Sequence, residues 1–193
     1  MDITSIFQKL SKYKHLGIEH TNNGATLIGK LPKLASEAWL HQSFKGLNEG
    51  ELKELEVDLM TNIPEDFRSF LRATNGLNLF STTISIFGRR KSNSRDAYNF
   101  EPFDIKTPNL FERPKDAKKN CLFIGSYNWD GSLIFIEFGE TDTVYRCERY
   151  SSTNKLNSWI NLASMLDSEI DRLSSLFDDQ GYVVNDDLPT TPP

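Results

Sequence analysis

Apolar positions along this chain follow two different spacings, and each predicts its own kind of element. Ile3, Ile6, Phe7, Leu10 and Tyr13 recur every three or four residues and predict an amphipathic helix near the start. Leu52, Leu55 and Leu59 repeat that spacing, with Glu51, Glu54 and Asp58 on the outer side. From Ile63 to Gly76 the chain reads as a short helix with both ends specified. Pro64 stands at the start, where its missing N–H would be unpaired in any case. Glu65 and Asp66 face the positive end of the helix dipole, and Phe67, Phe70, Leu71 and Thr74 form the apolar stripe. Asn75-Gly76 tolerates a left-handed backbone and is expected to stop the helix. A last helix is expected from about Ser158 to Phe177, where Trp159, Leu162, Ala163, Leu166, Ile170, Leu173 and Phe177 keep helical spacing.

Between these stretches the pattern turns strand-like. Ala25 to Leu31 reads as a short strand after the turn Asn22-Asn23-Gly24, while Ala35 to Phe44 fits neither spacing cleanly. Leu79 to Phe87 is rich in Thr, Ile and Phe with partial alternation and suits one strand. Residues 99–117 hold Pro102, Pro108 and Pro114 and read as an irregular connection with one short helical turn. Cys121 to Tyr127, Ser132 to Phe138 and Thr143 to Arg149 form a run of three strands. The turns Asp130-Gly131 and Gly139 to Asp142 between them predict an antiparallel meander. Helices, then an antiparallel sheet, then a helix make an α+β pattern. Phe67, Phe70, Leu71, Ile134, Ile136, Leu166 and Ile170 are expected in the core.

Composition narrows the picture. The 193 residues fit one domain, or one domain with an extension, and 13 Phe and 3 Trp suffice for a sizeable core. No apolar run approaches the length of a membrane span, and Met1-Asp2-Ile3-Thr4 does not begin a secretory signal, so a cytoplasmic protein is expected. Cys121 and Cys147 both fall in expected strands and read as reduced, buried thiols. The net charge of −5 is unevenly distributed: residues 161–193 hold seven acidic residues against one basic, whereas residues 1–160 hold 20 against 21. This distribution argues against a nucleic-acid partner, which needs a concentrated positive face. It leaves room for a basic protein partner, although for the charges alone a solvated acidic tail is the simpler explanation.

Three segments go beyond fold. The proline-started Phe-Leu helix closed by Asn75-Gly76, preceded by the acidic helix Leu47 to Met60, resembles the SUKH superfamily. So does Phe123-Ile124-Gly125-Ser126 leading into Asp130-Gly131-Ser132 and the strand Leu133 to Ile136, followed by Val144-Tyr145-Arg146 and the closing helix. The resemblance covers roughly residues 47–178. It implies a twisted antiparallel sheet with helices packed against it; residues 1–45 are then an N-terminal elaboration of helix plus short strand and 46–178 the family domain, while 179–193 read as an acidic, Pro-ending tail expected to be loose at its end. It also implies a function through protein binding: in bacteria, immunity by binding a cognate toxin, often a nuclease; in fungi, regulation of cell-wall glucan synthesis.

Candidate chemistry is sparse. His15, His20 and His41 have no Cys or carboxylate at metal-ligand spacing, so no metal site is expected. A Gly-x-Ser-x-Gly elbow and a P-loop are both missing from the sequence, so no catalytic residues and no cofactor are assigned. Three surface candidates remain. Tyr127, Trp129 and Asp130 place aromatics beside a tight turn, as an interface anchor or as cover for the core edge. Arg89 and Arg90 open the basic run to Arg95, which would hold a phosphate or an acidic partner, or form a plain solvated loop. Asp178 and Asp179 begin the acidic tail that would meet a basic toxin face.

Overall fold

The computed structural model describes residues 3–92, 100–139 and 141–193. Among them nine strands form one sheet in chain order, each antiparallel to the next. They are β1 (Ile18–His20), β2 (Thr26–Lys30), β3 (Trp39–Lys45), β4 (Thr74–Leu79), β5 (Ile84–Ile86), β6 (Cys121–Tyr127), β7 (Leu133–Glu137), β8 (Thr143–Glu148) and β9 (Ser151–Trp159). The helices are α1 (Thr4–Leu10), which runs on into a 3₁₀ turn at Ser11–Leu16, α2 (Glu49–Leu59), α3 (Glu65–Ala73) and α4 (Leu162–Ser174). The α+β architecture expected from the periodicity is therefore present. No helix among the described residues is long and apolar enough to cross a membrane.

Strand parity places the core. Residues of one sheet face, among them Ile28, Leu77, Ile84, Ile86, Leu122, Ile124, Ile134, Ile136 and Val144, join the apolar sides of all four helices in a single buried cluster. All seven expected core residues belong to it. Two smaller clusters are separate from it, one around Phe123, Phe135, Cys121 and Cys147, the other around Leu27, Trp39 and Phe44. Both thiols are free and buried, and burial pushes that of Cys147 up to about 12. Phe67, Phe70 and Leu71 of α3 are fully buried, each stabilising the fold by roughly 1.5–3 kcal/mol. Asn48 and Glu51 close a capping box on α2, and Asn161 and Ser164 do the same for α4. Arg68 and Arg72 of α3 fasten it to α2 through Glu56 and Glu49.

Five expectations need correction. Residues 1–45 contribute three strands rather than one, and the ambiguous stretch through Phe44 is β3, which pairs directly with β4. Asn75-Gly76 does not cap α3: the backbone is already extended at Thr74, and both residues lie in β4. The Asn75 side chain instead accepts from the Arg89 N–H and donates to the Arg89 carbonyl, so it works as an extra rung of sheet. The strand expected across Leu79–Phe87 is broken at Phe80, Ser81 and Thr82, three successive residues with positive φ. Ser158 and Trp159 belong to β9, and α4 begins only at Leu162. Finally, the segment ending in Pro192-Pro193 is not loose. Thr190 is buried and its carbonyl accepts from Arg172, while the Pro192 carbonyl accepts from Arg146.

Candidate functional site

The turn at residues 128–131, between β6 and β7, forms one wall of a groove of about 530 Å³. Tyr127 N–H donates to the Ser132 carbonyl across the mouth of this turn, and Gly131 supplies the positive φ (+69°) that lets the chain reverse. Asp130 accepts from the Ser132 N–H, which fixes the turn locally, and Asn128 N–H donates to Thr83, which ties it to the strained bend before β5. Trp129, at the tip, is left 48% exposed and lines the groove.

The opposite wall is the connection that precedes β6. Gly88 pairs with this connection, its N–H donating to Phe103 and its carbonyl accepting from Ile105. A side chain at residue 88 would run into the Asn75 backbone, so the close approach requires glycine. A π-helical turn follows at Thr107–Phe111. Buried Asn109 anchors it by donating to the Ile105 and Phe123 carbonyls and accepting from the Phe123 N–H. Phe103, also 48% exposed, packs edge-on against Phe87 and lines the groove with Asp104 and Glu112.

Beneath the turn lies a saturated polar network. Arg146 of β8 is buried and donates to Asp130, Ser132, Asn157 and the Pro192 carbonyl, with its guanidinium over the Tyr127 ring. The Tyr127 hydroxyl donates to Glu169 of α4, which in turn pairs with Arg172. Burial, reinforced by the neighbouring Glu169 carboxylate, drives the Tyr127 phenol far above its ordinary range. Burial pushes the Asp130 carboxyl up, but the Ser132 donors and the Arg146 guanidinium together hold it below its ordinary value.

Tyr127, expected at the surface, is thus corrected: it is fully buried, and its hydroxyl is committed to α4. Trp129 and Asp130 stand at the groove as described. Arg89 and Arg90 lie elsewhere, on the loop against α2. Arg89 pairs with Glu54 and Lys91 with Glu51, while Arg90 donates to the Ser92 carbonyl. The rest of that basic run, Asn93 to Arg95, lies outside the described residues. The Asp178 carboxylate accepts from the Gln180 and Tyr182 N–H groups and so shapes its own turn. Asp179 is exposed, and its carbonyl is within hydrogen-bond distance of His15. The structure therefore brings Trp129 and Asp130 together and leaves the other two candidate pairs on different elements.

The profile of the SMI1 / KNR4 family (SUKH-1) matches residues 46–168, from the approach to α2 into α4. The chain belongs to that family. No curated protein matches it. The SUKH-1 match takes in both walls of the groove, the turn and Arg146. Within this SUKH-1 domain, sequence reasoning missed Phe103, Asp104, Glu112 and Arg146. Arg146 did carry a signal: it shares strand parity with Val144, the buried side of β8, and a cation on the apolar side of a strand needs partners. Phe103 to Glu112 sit in an irregular, proline-containing stretch with no periodicity to read.

Proposed function

We propose that this SUKH-1 protein works by binding another protein, as a cytoplasmic immunity protein that occludes a cognate toxin, with the Trp129 groove as the contact surface. The observation that carries this reading is the rigid presentation of Trp129. A large aromatic is held half exposed on a turn fixed from below by buried Arg146 and from the side by Asn128. A side chain so held loses little entropy on binding, which is the physics of an interface hot spot. The polar groups beneath it support the same reading. Arg146, Glu169 and Tyr127 satisfy one another and sit under the surface, where they position the turn rather than face a substrate. We assign no catalytic residues.

The regulatory or scaffold role known in the family's fungal members would use the same groove, and one experiment separates the two. The gene adjacent to this one is expressed in a sensitive host, with and without the protein. Immunity requires that the neighbour be toxic and that the protein restore growth. A harmless neighbour contradicts immunity and favours the regulatory role.

A further inference from the structure

The charge left over in the groove points to one kind of partner side chain. Asp104 and Glu112 line it and have no cationic partner among the described residues; the Asp104 carboxylate accepts from the Lys106 N–H. Asp130, the third carboxylate, is neutralised by Arg146. The one cation among the lining residues is Arg149, whose guanidinium lies 5.3 Å from the centre of the Tyr150 ring. Two exposed aromatic rings, those of Trp129 and Phe103, share the cleft with these carboxylates. Aromatic faces and unpaired carboxylates both attract cations, and a planar, weakly hydrated guanidinium suits a ring wall better than a compact ammonium does.

We propose that the groove receives the guanidinium of an arginine carried on an exposed segment of the protein partner, with Trp129 and Phe103 flanking it and Asp104 and Glu112 meeting its charge. The inference rests on the protein-binding reading above and specifies its chemistry. A cleft of about 530 Å³ is within the size range of ligand-binding clefts and has room for a side chain. Asp104 and Glu112 belong to the 1–160 section whose charges nearly balance, so the acidic excess of residues 161–193 is not what the arginine reads.

The test is a titration of the full chain with a capped Gly-Gly-Arg-Gly-Gly peptide, followed by NMR at the three tryptophan indole N–H signals. A matched peptide with citrulline, the same shape without the charge, runs in parallel. The Trp129 signal is expected to shift and saturate, while those of buried Trp39 and half-buried Trp159 stay in place and report an intact fold. Citrulline should weaken binding roughly fivefold. Glu112→Gln, an exposed substitution, should weaken the arginine peptide roughly threefold. Equal binding of the two peptides, or no response at Trp129, overturns the arginine assignment. Growth protection by the unaltered protein reports separately on the wider reading, so a failed titration beside intact protection removes only this inference.

Discussion

The basic loop at residues 89–92 and the turn at residues 128–131 both place charge and polarity near the surface, but in opposite conditions. On the loop, Arg89 and Lys91 meet Glu54 and Glu51 of α2, so two cations of the run that looked like an anion site are already paired by the fold. At the turn, the neutralisation happens below the surface, between Arg146 and Asp130. Trp129 is left exposed above it, in a groove whose Asp104 and Glu112 have no cationic partner among the described residues. The comparison teaches that density of charge in sequence says little about binding. What matters is whether the fold has already supplied the partner.

Breaking the support under the turn should have the largest effect. Arg146→Leu leaves the part-exposed Asp130 carboxylate without its cation and the Pro192 carbonyl without its donor, and is expected to cost about 2–3 kcal/mol of stability in urea unfolding. A loss below about 1 kcal/mol would mean that the network holds nothing up. Next, Trp129→Ala should leave stability unchanged and weaken the partner complex by about 2 kcal/mol or more, roughly thirtyfold in Kd by calorimetry.

A pH series separates both ion-pair regions from the core. Burial, with Lys12 nearby, lowers the pKa of His41 from 6.5 to about 3. Its ring stands 4.7 Å from that of Phe80 and 5.3 Å from that of Tyr13, and its Nε2 has no hydrogen-bond partner. Between those two values the unfolded chain holds a proton that the folded chain does not. Stability should therefore fall as pH drops below 6.5, by at most about 1.4 kcal/mol per unit, and level off below pH 3. His41→Phe should flatten the slope between pH 6.5 and 5, a window above the carboxylate range in which Asp130 and Glu51 lose their depressed-pKa contribution as pH falls. The smallest effect is expected on the loop: Arg89→Ala should change stability by less than about 1 kcal/mol, because its pair with Glu54 faces solvent.

Where side-chain spacing alone decides structure, the sequence could be read. The stripe of α3, the meander β6–β8 and the turn at Asp130-Gly131 all follow from local pattern. Elements fixed by contacts remote in sequence could not. β9 is polar, Ser-Ser-Thr-Asn-Lys-Leu-Asn-Ser-Trp, and is a strand because β8 offers it an edge. Asn75-Gly76 reads as a helix stop until Arg89 arrives to pair with Asn75. Half of the candidate site was legible, since Trp129 and Asp130 sit beside a turn signal. The wall opposite was not, because Phe103, Asp104 and Glu112 are brought there by Asn109 and Gly88 across the sheet.

The most direct measurement is a side-by-side test of the two loops against the toxin candidate encoded by the adjacent gene, comparing growth protection by Trp129→Ala and Arg89→Ala at equal protein levels. Protection lost with Trp129→Ala and kept with Arg89→Ala is the expected result. Protection kept with Trp129→Ala, or lost only with Arg89→Ala, would contradict the groove as the site of recognition.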